Sequence, residues 1–145
     1  MRTRTPPKHP KSRDGTNGRT PLHEASIERD VAACRRLLDA GADPNVADRG
    51  GWTALHFAAQ FQATGIVAVL LAAGARVDLC DSNGNSALFT AVFNSRGAGE
   101  VIRQLRDAGA DPKIPNKVGV TPAMLARTIT NYNVAQYFVD LPAGE

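Results

Sequence analysis

Thr20-Pro21-Leu22-His23 is answered 33 residues later by Thr53-Ala54-Leu55-His56, and Gly41-Ala42-Asp43 returns at the same interval as Gly74-Ala75-Arg76. Ser86-Ala87-Leu88-Phe89 stands a further 33 residues on, and Thr121-Pro122-Ala123-Met124 another 35. The third glycine turn, Gly109-Ala110-Asp111, is likewise 35 past the second, so two residues are added inside the third unit. A fixed period of this length means a stack of similar small units. One such unit cannot cover its own apolar faces, so neighbours above and below must do it.

The second unit shows the layout. Gly50-Gly51 marks a tight turn that needs positive φ. Thr53 is an N-cap, and Ala54 stands where Pro21 and Pro122 stand in the sister units. Proline is tolerated there because the N–H of the first helical residue has no intrahelical partner. The spacing predicts a short helix from Ala54 to about Phe61 and a second from about Gly65 to Ala72, with Ile66, Val67, Leu70 and Leu71 at helical intervals. Gly74 ends it, and an extended stretch over 75–80 leads to the next turn. The other units repeat this plan. In the fourth, Ala123, Leu125 and Ala126 line the first helix and Val134, Ala135, Phe138 and Val139 the second. Ala25, Ala58, Ala91 and Ala126 share one register position, where a larger side chain would wedge neighbouring helices apart. The added residues fall within 94–99 and are expected to project as a loop.

Composition bounds the class. The chain has 145 residues, enough for one domain, and is 43% apolar and 21% charged, as soluble globular proteins are. No apolar run approaches the roughly 20 residues of a membrane helix, so no membrane association is expected. Residues 1–11 hold three prolines and no apolar stretch, which argues against a secretory signal. Cys34 and Cys80 form neither a disulfide framework nor a CxxC site, and a reducing cytoplasm is the expected compartment. Charge is uneven. Arg2, Arg4, Lys8, Lys11 and Arg13 give residues 1–13 a net +5, whereas 14–145 carry −2. The tail reads as disordered. Salt-dependent, nonspecific nucleic-acid association through it is a secondary reading.

With its 33-residue period and Thr20-Pro21-Leu22-His23-Glu24-Ala25, the sequence resembles the ankyrin-repeat family. Thr53-Ala54-Leu55-His56-Phe57-Ala58 departs from that motif only at the proline, and Leu37-Leu38-Asp39-Ala40-Gly41-Ala42-Asp43 resembles the family's second-helix ending. The resemblance implies an all-α solenoid of about four helix-turn-helix units joined by β-turn or hairpin loops. The units fall at about 14–47, 48–80, 81–115 and 116–141, after a disordered tail over 1–13 and before a C-terminal end over 142–145. Phe89 and Met124 replace the motif histidine, and Arg106 replaces the second leucine of the Leu-Leu pair.

Residues that look chemical have plainer readings. The resemblance implies that His23 and His56 each tie a helix start to the next unit's loop. One per unit places them on the order of 10 Å apart, too far to share a zinc with bonds of ~2 Å. Cys34 falls in the register of Val67 and Ile102 and reads as a small buried hydrophobe. Asp14-Gly15-Thr16-Asn17-Gly18 opens like a calcium loop but lacks the remaining ligands and the closing glutamate. Asp43, Asp78 and Asp111 read as turn-formers. No nucleophile–base pair, P-loop or metal cluster is found, so no catalytic residue, metal or cofactor is expected, and the chain reads as non-enzymatic.

What remains is surface. The resemblance implies that a partner protein lies across the turn tips and the exposed side of the first helices. The tips contribute Thr16, Asn17 and Arg19, then Arg49, Gly50 and Trp52, then Ser82, Asn83 and Asn85, then Lys117, Val118 and Val120. The helix ends add Ile27 and Glu28, Gln60 and Phe61, Phe93 and Asn94, Thr128 and Ile129. Within this set the partner-binding expectation rests on Asn17, Arg19, Glu28, Arg49, Trp52, Gln60, Phe61, Asn83, Asn85, Phe93, Asn94, Lys117 and Val120. Trp52 has two readings, an aromatic anchor for a partner or a plate lying over its own stack. The chain is expected to be monomeric. A sharper version is implied by small stand-alone bacterial members of the family that neutralise a toxin.

Overall fold

Four hydroxyl residues start four short helices. Thr20, Thr53, Ser86 and Thr121 keep extended backbone, and each side-chain oxygen accepts the N–H three residues on. They open α1 (Pro21–Ile27), α3 (Ala54–Gln60), α5 (Ala87–Phe93) and α7 (Pro122–Thr128). Three of these are followed by a second helix: α2 (Val31–Asp39), α4 (Thr64–Ala72) and α6 (Glu100–Asp107). The turn between the two helices puts Arg29, Gln62 and Arg96 in the left-handed region. The computed structural model describes residues 17–142. Among these there is no strand, and a single bridge between Cys80 and Ser86 is all that remains of a hairpin.

The helices form two rows. α1, α3, α5 and α7 lie side by side in one, and α2, α4 and α6 in the other. Ala25, Ala58, Ala91 and Ala126 are all buried, which lets the first row close tightly. Leu55, Ile66, Val67, Leu70, Leu88, Ile102 and Leu105 fill the space between the rows as one continuous core. Cys34 belongs to it, beside Val67 and Ile102 in register.

Hydrogen bonds tie each unit to the next. His23 Nδ1 accepts the N–H of Thr20 at 2.9 Å, and Nε2 donates to the carbonyl of Trp52 at 2.9 Å. His56 repeats this with Thr53 at 3.1 Å and Asn85 at 2.9 Å. The third unit has Phe89 in that register, and there the side chain of Asn116 donates to Asn85 Oδ1 at 3.0 Å across the same junction. Asn45 and Asp78 accept the N–H groups of Arg76 and Asp111 in the following unit. Asp43 and Asp111 each also bond the N–H two residues on, as turn-formers do.

Two expectations are corrected. The fourth unit does not end in an α-helix. It closes with a five-residue 3₁₀ helix, Val134–Phe138, and Val139 is 81% exposed. Arg106 donates to the carbonyl of Tyr137 at 2.8 Å and holds Asp140 through two bonds of 2.6 and 2.7 Å. This clip draws the chain toward α6 and off a helical path, while no further unit follows within the described residues to cover Val139. The insertion in the third unit does not project as a whole. Ser95 is buried, Gly97 lies under Tyr132, and Gly99 lies under Tyr137, whose hydroxyl donates to Gly97 O at 3.2 Å.

Candidate functional site

The second, third and fourth turn tips are each shaped by one carboxylate or carboxamide. Asp48 Oδ1 accepts the N–H groups of Gly50 and Trp52, both at 2.9 Å. Asp81 does the same for Asn83 and Asn85, and Asn116 for Val118 and Val120. These three residues are organisers that the sequence reading passed over. Asp48 and Asp81 recur at the 33-residue period, but Asn116 breaks the chemical identity. Each tip also bonds the next through main chain alone: Arg49 N–H to Asn17 O, Ser82 N–H to Gly50 O, and Lys117 N–H to Asn83 O, at 2.9 to 3.0 Å.

Between the second and third tips and the facing flanks of α3 and α5 lies an open hollow of about 270 Å³. Trp52, Gln60, Asn83, Asn85, Phe93 and Asn94 line it, together with Asp81, Phe89 and Thr90. The structure therefore brings together six of the residues singled out on the sequence. Phe89 and Thr90 were missed because Phe89 reads only as a lost histidine, yet its register places it beside the tips.

Trp52 takes something from both of its readings. Its ring lies 4.9 Å from that of Phe57 and 5.5 Å from that of His56, so it stiffens its own unit. It stays only half buried and forms one wall of the hollow. Phe93 is 69% exposed and has no such support role.

The remaining candidates lie elsewhere. Arg19 stacks on Phe57 at 5.2 Å and sits 3.9 Å from Glu24, so it belongs to the packing of the first two units. Phe61 is half buried beneath Arg29, 5.7 Å above its ring. Glu28 caps α1 and faces a separate hollow at the first-unit end, with Pro21, Glu24 and Arg36. Asn17 is exposed with φ of 59° and serves through its carbonyl. Arg49 is exposed on the second tip without lining the hollow, and Lys117 is exposed on the fourth tip, one beyond it, where Val120 is half buried. Thr16 and the basic residues of 1–13 lie outside the described residues.

The titratable groups point to structure. Burial lowers the pKa of His56 and His23 below the usual imidazole value, opposed by their bonds to the Asn85 and Trp52 carbonyls. Burial raises the thiols of Cys34 and Cys80. No group of three or more His, Cys, Asp or Glu side chains among the described residues is placed to hold a metal. No helix among them is long and apolar enough to cross a membrane.

Paired short helices, hydroxyl caps, inter-unit histidine bonds and tips at a 33-residue period define a repeat solenoid. The family model described as ankyrin repeats (3 copies) matches residues 6–81 and 22–116. The chain belongs to the ankyrin-repeat family. It is 37% identical over 111 residues to Protein PhlB of Serratia liquefaciens, covering 76% of this chain and 48% of that protein. It is 43% identical over 72 residues to ZDHHC13 of Danio rerio, half of this chain but 11% of the relative. Against the mitochondrial disaggregase of Homo sapiens it is 37% identical over 103 residues, 71% and 14% of the two chains. The chain thus spans at most about half the length of these relatives, and what is shared is the repeat region.

Proposed function

We propose that this chain is a non-enzymatic protein-binding module that holds its partner along the turn tips and the exposed flanks of α3 and α5. Ankyrin repeats in general are protein-interaction modules. The observation that carries the reading is the hollow itself. Three aromatic rings and four carboxamides converge there, and interfaces favour aromatic anchors in a polar frame. Phe93, by contrast, stays largely exposed and lies outside the core cluster.

The test is affinity capture from a native lysate with the wild-type chain and with Phe93→Ala and Trp52→Ala. Phe93→Ala is expected to weaken partner binding by about 2 kcal/mol, the scale of an interface hot spot, with an unchanged unfolding midpoint. Trp52→Ala is expected to weaken binding too, but also to lower stability, because its ring packs on Phe57. Retention of the full partner set at unchanged affinity by both variants refutes the reading. Toxin neutralisation is a narrower form of the same proposal, and it requires that the captured partner be a toxin.

A further inference from the structure

We infer that Asn83 is a site of spontaneous self-modification, where the chain converts its own asparagine to a mixture of aspartate and β-linked isoaspartate. Asparagine is a thermolabile residue, and Asn-Gly occurs twice in the chain, at Asn17-Gly18 and Asn83-Gly84. The pair matters because the reaction joins the asparagine side chain to the next residue's main-chain nitrogen. Glycine has no Cβ to crowd that nitrogen.

The structure separates Asn83 from the other asparagines. Asn45, Asn85, Asn94 and Asn116 each engage their carboxamide in a hydrogen bond, and the residue after each bears a Cβ. Asn131 and Asn133 are exposed but are followed by Tyr132 and Val134. The Asn83 side chain is exposed and bonds no other described residue, so it is free to turn toward Gly84. Asn17 is exposed as well, but Gly18 is buried, whereas Gly84 is only half buried. Asn83 therefore has the more open approach.

The step balances with water as its only co-reactant. Gly84 N attacks Asn83 Cγ, the Cγ–Nδ2 bond breaks, and ammonia leaves with the proton that Gly84 N carried. Water then opens the cyclic imide at either carbonyl, giving a carboxylate and a proton. Attack at the side-chain carbonyl yields aspartate. Attack at the main-chain carbonyl routes the main chain through Cβ and Cγ and leaves the old carbonyl as a free carboxylate.

The tip sets the rate. The Gly84 N–H donates to Asp81 O at 2.9 Å, and Asp81 Oδ1 holds the N–H groups of Asn83 and Asn85. Gly84 can give up its proton only when this turn opens. The product in turn acts on the stack. Asn83 O accepts the N–H of Lys117 at 3.0 Å, the main-chain link from the third tip to the fourth. In isoaspartate that oxygen no longer belongs to the main chain, so the link is lost. Either product also adds a negative charge to the hollow that Asp81 already lines. The reaction does not depend on what the hollow binds.

The experiment ages the full chain in mildly alkaline buffer and maps its peptides by mass spectrometry, with isoaspartate read by an isoaspartyl methyltransferase. A parallel sample in urea gives the rates without the fold. In urea Asn17 and Asn83 are expected to react alike. In the folded chain both should slow, with Asn83 severalfold ahead of Asn17 and of every other asparagine. Asp81→Ala is expected to speed the reaction at Asn83 severalfold, whereas Asp81→Asn, which keeps an acceptor at Oδ1, stays near wild type. Asn83→Gln should block it, because the extra methylene closes a larger ring far more slowly. The isoaspartate form is expected to exchange the Lys117 amide proton faster than the fresh chain. Asn83 that stays intact in the folded chain, or that reacts no faster than Asn17, overturns the inference. So do an unchanged rate in Asp81→Ala and unchanged Lys117 exchange in the isoaspartate form.

Discussion

At the scale of single residues, His23 and His56 show how one side chain can serve the helix start and the stack together. Each Nδ1 accepts a main-chain N–H, so the ring proton sits on Nε2 and points at the next unit's carbonyl. A second proton would force Nδ1 to donate toward a donor. The folded state therefore binds fewer protons than the unfolded state below the ordinary value of 6.5, and stability falls as pH drops through that value. The expected loss approaches about 1.4 kcal/mol per pH unit for each histidine in that window. Urea unfolding between pH 7.5 and 5 measures it. His56→Phe, which installs the residue the third unit carries at Phe89, is expected to halve that slope. It should also cost about 1–3 kcal/mol at pH 7.5 by orphaning the buried N–H of Thr53, while the carbonyl of Asn85 keeps its bond from the N–H of Asp81. An unchanged slope would show that the histidines do not carry the acid sensitivity.

At the scale of elements, what was legible in the sequence was what local chemistry decides. Thr53 and His56 are three residues apart, and their reciprocal bonds need no distant partner, so the start of α3 could be read directly. The end of the fourth unit could not. Val134 and Phe138 are buried at a helical interval, and the departure comes from Arg106, about 30 residues earlier in the chain, capturing Asp140. The inward fold of 94–99 was hidden for the same reason, since Tyr132 and Tyr137 come from the following unit. Of the site, the tips and Phe93 were legible from register, but which way the Trp52 ring leans depends on its contact with Phe57. The Gly99 contact yields a direct test. Its φ of −106° suits any residue, yet a Cβ there would collide with the Tyr137 ring. Gly99→Ala is expected to cost about 1–3 kcal/mol as overpacking, and most of that cost should vanish in a Tyr137→Ala background. Chemical denaturation of the two single variants and the double variant closes the cycle, and additivity would remove the steric explanation.

At the scale of the molecule, the two ends of the second helix row differ. α2 and α4 are full helices packed side by side, whereas the row ends beyond α6 with a 3₁₀ turn held by an exposed ion pair. The Arg106 guanidinium holds the Asp140 carboxyl down to about 2. That contribution is present above the ordinary carboxylate value and lost as pH falls through about 2. A linear stack opens most readily where its last unit has least cover. Asp140→Asn is therefore expected to raise amide hydrogen exchange over 122–141 while leaving 54–93 unchanged. Equal acceleration throughout would mean that the array unfolds as one block.

The tip-to-tip bonds have a consequence for how this surface can change. Arg49, Ser82 and Lys117 bond their neighbours through main-chain N–H groups, so these three links do not depend on which side chains stand at those positions. Evolution, or a protein engineer, can exchange the residues presented at those three places and keep the same scaffold beneath them. New specificity is then a matter of rewriting letters on a ruler whose marks stay put.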